Sequence, residues 1–88
     1  MNISKKERRT LEMLSLGGKI IIEKDDRSRP LEASFVTREG WFLDGAGLTE
    51  FKVLKAKRLI ISRNGGHYAI SREGVLSLQR SRQQAKKS

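Results

Sequence analysis

Between two short apolar runs, Leu59-Ile60-Ile61 and Tyr68-Ala69-Ile70, the chain reads Arg63-Asn64-Gly65-Gly66. Asn-Gly in that setting is the strongest short-range hairpin signal, because a tight two-residue turn needs positive φ at its centre. An antiparallel pair of strands over residues 59–70 is therefore expected, and the rest of the chain must be arranged around it. The segment before it is helical. Leu48, Phe51 and Leu54 recur every third residue as a core-facing seam, with Lys52, Lys55 and Lys57 beside or away from it. Arg58 stands at the end of that helix, where the dipole favours a cation. After the hairpin, Ser71 is placed to cap a last helix through Val75, Leu76 and Leu78.

The first half has equally local punctuation. Ser4-Lys5-Lys6-Glu7 has the form of a capping box, Leu11 and Leu14 supply a seam, and Gly17-Gly18 supplies a left-handed stop, so a helix is expected from about Lys5 to Leu16. Ile20-Ile21-Ile22 within Lys19–Lys24 reads as a strand. Leu31, Ala33 and Phe35, alternating with Glu32 and Ser34, read as a second strand with one buried face. The polar stretch from Asp25 to Pro30 between them reads as a turn that makes a hairpin, and its paired aspartates are read as turn formers rather than metal ligands. Trp41-Phe42-Leu43 is either a third strand or a loop packed on the core, and its two aromatics are expected to be core residues. Gly45-Ala46-Gly47 is a flexible entry to the next helix and lacks the spacing of a phosphate-binding loop.

The order helix, basic hairpin, helix suggests an α+β, winged-helix-like domain in which the hairpin is the wing and an additional N-terminal β-hairpin replaces the usual short helix. Residues 1–80 are expected to form this one domain, and 81–88 a basic, disordered tail. Charge follows the same division. Residues 1–44 hold nine Lys/Arg and eight Asp/Glu, a net of +1, whereas residues 45–88 hold ten and two, a net of +8. A basic half of this kind attracts polyanions and acidic protein surfaces. The expected partner- or DNA-binding residues are Lys52, Lys55, Lys57 and Arg58 on the helix, with Arg63, Asn64 and His67 at the wing tip. No catalytic constellation is legible: there is no Cys, His67 is the one histidine, and the carboxylates are scattered over strands and turns. No metal, cofactor or enzymatic activity is expected. No apolar run approaches the length of a membrane span and the N-terminal residues lack a secretory h-region, so a cytoplasmic protein without membrane contact is expected.

Several strings together resemble the small bacterial YjhX family. They are Met1-Asn2-Ile3-Ser4, Gly17-Gly18, Thr37-Arg38-Glu39-Gly40, Phe51-Lys52-x-Leu54-Lys55-x-Lys57-x-Leu59-Ile60, Ser62 and Tyr68-x-Ile70, in order and at approximately the same positions. The resemblance covers nearly the whole chain and is weakest from Ser77 onward. It implies a toxin of a chromosomal toxin–antitoxin pair that binds and inhibits DNA topoisomerase I, with that enzyme and a cognate antitoxin protein as partners. The alternative, supported by the basic helix and hairpin, is a winged-helix DNA-binding module or transcriptional regulator. Finally, Phe35-Val36-Thr37-Arg38-Glu39-Gly40 echoes Ala69-Ile70-Ser71-Arg72-Glu73-Gly74, and shared use of a hydroxyl after a strand is the economical explanation.

Overall fold

A computed structural model describes residues 3–63 and 66–85. Seven elements follow in the order α1 (Lys5–Ser15), β1 (Lys19–Lys24), β2 (Pro30–Val36), α2 (Leu48–Ala56), β3 (Ile60–Ser62), β4 (Tyr68–Ile70) and α3 (Arg72–Ala85). The strands form one antiparallel sheet in the order β2-β1-β4-β3. The result is an α+β domain of three helices and four strands. No helix among the described residues is long and apolar enough to cross a membrane.

Local chemistry sets the element ends. The Ser4 hydroxyl accepts the Glu7 N–H at 3.1 Å and the Glu7 carboxylate accepts the Ser4 N–H at 2.7 Å, completing the capping box of α1. At the other end Gly17 takes φ +105°, and the N–H groups of Gly17 and Gly18 reach back to the carbonyls of Leu14 and Met13. This is a Schellman closure. The expected turn between β1 and β2 is organised by Asp25, whose carboxylate accepts the backbone N–H groups of Arg27 and Arg29, each at 2.9 Å. Ser71 caps α3 as expected, its Oγ accepting the Gly74 N–H at 3.0 Å. The helix continues to Ala85, through the first residues of the segment assigned above to the tail.

One face of the sheet carries Ile20, Ala33, Phe35 and Ile60, and onto it pack Leu11 and Leu14 of α1, Phe51 and Leu54 of α2, and Leu78 of α3, all buried. Phe51 meets Tyr68 edge-to-face with ring centroids 4.9 Å apart. The seam on α2 is therefore real, although Leu48 at its start is only half-buried.

Two expectations about burial are overturned. Leu31 belongs to β2 but is 62% exposed: near the Asp25 turn the register slips between Glu23 and Lys24, leaving Leu31 without a partner in β1 and breaking the alternation that buries Ala33 and Phe35. Trp41 and Phe42 are not core residues: they are 73% and 71% exposed. The chain folds back after β2, with the Thr37 N–H donating to the Trp41 carbonyl at 2.7 Å and the Trp41 N–H to the Thr37 Oγ1 at 3.0 Å. Gly40 supplies the positive φ, and Phe42 makes an isolated bridge to Val36. The turn is thus closed by three hydrogen bonds of its own, while Phe35, Ala33 and the half-buried Leu43 already supply the apolar filling on that side. The two aromatics are left standing in solvent.

Candidate partner-binding surfaces

The cations singled out in the sequence do not share one fate. Lys57 is spent inside the fold: its Nζ lies 2.8 and 2.9 Å from the two oxygens of Glu7, joining the end of α2 to the first turn of α1. A second pair, Lys6 to Glu50 at 3.2 Å, links the same turn of α1 to the start of α2. Burial pushes the Glu7 carboxyl up, but its hydrogen bonds with Lys57 and Ser4 outweigh that and hold it below the usual range. Glu50 is also held low, first by the Gly47 N–H it accepts at 2.8 Å and then, against some desolvation, by Lys6. That bond to Gly47 also gives α2 the acidic half of a capping box.

Lys52, Lys55, Arg58 and Arg63 are exposed, and among the described residues no carboxylate lies within ion-pair distance of any of them. Lys55 nevertheless has neighbours that suit its charge. Its ammonium lies 5.8 Å from the Phe51 ring centroid and 5.9 Å from that of Tyr68, within cation–π range of both. His67 is exposed beside the β3–β4 connection, where its carbonyl accepts the Arg63 N–H at 3.0 Å. Asn64 lies outside the described residues. The structure thus joins Lys55 to the hairpin through Tyr68, while Lys57 turns back to α1.

Arg58 is held in an unusual way. It adopts φ +60°, and the N–H groups of Arg58 and Leu59 reach the carbonyls of Lys55 and Leu54, each at 3.0 Å. This is the same closure that ends α1, but with Arg where α1 has Gly17. The Arg58 carbonyl in turn accepts the Ser71 hydroxyl at 2.7 Å, tying the end of α2 to the start of α3. An L-residue in this conformation costs on the order of 1–2 kcal/mol relative to a relaxed backbone. The guanidinium is therefore presented at a position where glycine would be less strained.

The surface missed in the sequence is apolar. Leu16, at the end of α1, is exposed with Trp41 and Phe42. A Cβ at Gly17 would touch the Arg38 side chain at 3.2 Å, so α1 ends against the turn that carries the aromatics. Thr37 followed three residues later by Gly40 was the available signal, because it marks a tight turn rather than a core strand.

The family profile described as "Putative toxin of bacterial toxin-antitoxin pair" matches residues 1–86. The chain belongs to the YjhX_toxin family. It is 52% identical over 79 residues to a UPF0386 protein of Rhodospirillum centenum, covering 90% of this chain and 92% of that one. It is 47% identical over 79 residues to a UPF0386 protein of Caulobacter vibrioides, covering 90% and 87% respectively. A Myxococcus xanthus UPF0386 protein is 44% identical over 78 residues, covering 89% and 92%. No solved structure matches the chain. Membership in a toxin–antitoxin family implies an antitoxin as one partner.

Proposed function

We propose that this YjhX-family chain is a toxin that acts by occupying its target, docking on DNA topoisomerase I and inhibiting it without chemistry of its own. The target is the one implied by the family resemblance. The observation that best supports protein docking is the pair Trp41 and Phe42, left in solvent on a turn closed by its own hydrogen bonds between Thr37, Gly40 and Trp41. Large aromatics dominate protein interfaces because they bury much apolar area at small entropic cost, with Arg the other favoured anchor. Lys52, Lys55, Arg58, Arg63 and His67 form the charged part of the contact, steering encounter with an acidic or DNA-bearing enzyme. Asn64 belongs with them by sequence position, and Lys57 contributes indirectly by holding α2 on α1.

A second reading, a winged-helix DNA-binding module, draws on the same cations. It is favoured by the pairing of β1 with the β3–β4 hairpin directly after a basic α2, the arrangement in which a helix enters a groove and a hairpin touches phosphates. The two are separated by capture of partners from lysate with and without nuclease. Topoisomerase I retained after nuclease is the expected result, together with loss of at least tenfold in affinity for Trp41→Ser/Phe42→Ser at unchanged thermal stability. Retention of DNA alone, or a double variant that binds the enzyme as tightly as the parent, would favour the module.

A further inference from the structure

The two hairpins of the sheet meet at a single rung. β1 pairs with β2 along its full length, but with β4 only at Ile20↔Tyr68. Beyond Ile20 the strands part, leaving a fork of about 570 Å³ between Ile21–Lys24 and the Gly66–Tyr68 segment. Every second residue of an antiparallel strand turns its N–H and C=O away from a given neighbour. Past Ile20 no strand among the described residues meets those groups of β1. The walls carry Lys19 and Lys24 on one side and His67 on the other, and Ile22 and Tyr68 supply apolar surface; among the described residues no carboxylate lines the fork itself, Glu23 standing on the same strand outside it.

We infer that this fork receives an extended, acidic segment of a partner protein, which pairs with the open edge of β1. Two independent features select that occupant. A free strand edge is read by another peptide backbone, whose donors and acceptors repeat at the same spacing, and a nucleic acid offers no such ladder. Lys19 and Lys24, against the single carboxylate of Glu23 on the same strand, select negative charge, while the apolar floor accepts the alternate side chains that a strand directs to one face. The fork opens towards Lys24, whereas the Trp41–Phe42 turn adjoins Val36, which pairs with Lys19 at the other end of β1. This inference therefore stands whichever macromolecule the basic face of α2 engages.

The test uses a capped eight-residue peptide of alternating Val and Glu, titrated into the full chain and followed by amide shifts and hydrogen exchange. The expected result is perturbation centred on Ile21–Lys24 and Gly66–Tyr68, with exchange at the free-edge amides of β1 slowed at least tenfold at saturation. The same peptide N-methylated at alternate residues keeps its charge but cannot pair, and should lose at least tenfold in affinity. Lys19→Glu/Lys24→Glu, both at exposed positions, should reverse the preference to a Val–Lys peptide. The inference is overturned if the Val–Glu peptide does not bind at millimolar concentration, if the N-methylated form binds equally well, or if perturbation falls on α2 instead. A DNA duplex that shifts the same amides and displaces the peptide would assign the fork to nucleic acid.

Discussion

At Arg58 a single dihedral separates what the backbone would choose from what the surface displays. The closure of α2 is geometrically that of α1, yet one uses Gly17 and the other Arg58. Arg58→Gly should relieve the steric cost of the left-handed conformation, offset in part by the greater freedom glycine gives the unfolded chain, for a net gain of about 0.5 kcal/mol. Arg58→Gln should leave stability near the parent value while removing the charge. Denaturant midpoints for the two variants, set beside their affinities for the target, separate strain from recognition. Under the proposed function both lose affinity, and only the glycine variant gains stability. Equal affinity for all three chains would remove Arg58 from the contact. Gly74 is the opposite kind of position, since a Cβ there would run into the Leu59 carbonyl oxygen and the Ile70 side chain, so only the smallest residue lets α3 start so close to β3.

Between elements, the first turn of α1 is clamped to both ends of α2 by Glu7–Lys57 and Lys6–Glu50. Glu7 has its carboxyl held low, so the stability it contributes is present above the ordinary glutamate range and is lost as pH falls through its depressed folded value. Glu7→Gln keeps the capping geometry but loses the ion pair, and should cost about 1 kcal/mol at neutral pH, the upper end for exposed pairs because this one is partly buried. Its stability should also fall less steeply than the parent's on acidification, as read from denaturant unfolding at a series of pH values. Such pairing shows where the sequence stops being informative. Caps, stops and turns were legible because Ser4, Gly17, Asp25 and Ser71 act on neighbours within five residues. Nothing near Lys57 in sequence marks it as paired, because its carboxylate lies 50 residues away. The fork was invisible for the same reason: each hairpin is a local decision, whereas the single rung joining them depends on where three helices place the sheet. Trp41 and Phe42 depart from expectation because the Thr37–Gly40 turn, and not their apolar character, decides where they stand.

For the whole molecule, a net charge of +9 guarantees attraction to any polyanion, so strength of binding alone distinguishes little. Salt does. If duplex DNA is bound through Lys52, Lys55, Arg58 and Arg63, four phosphate contacts give a log–log slope of affinity against salt of about −3.6. Docking on topoisomerase I through an apolar and aromatic centre should show a clearly shallower slope, because the charged rim mainly speeds association. Titrations of both partners from low to physiological salt should therefore diverge, and parallel lines would speak against an apolar centre. The fork between the hairpins bears on a different hazard. A strand added to the outside of a sheet offers its own far edge to the next chain, which is how sheets grow into fibres. Here the outer strands are poor templates: β3 has three residues, and β2 begins at Pro30 and is bridged by Phe42 near its end. A segment entering the fork, as inferred above, would pair with β1 on one side and face the β4 hairpin on the other, where Gly66 already donates its N–H to the Arg63 carbonyl. If that inference holds, the sheet has one internal edge to offer and two outer strands that pair badly, so a one-to-one complex is expected in place of a growing fibre.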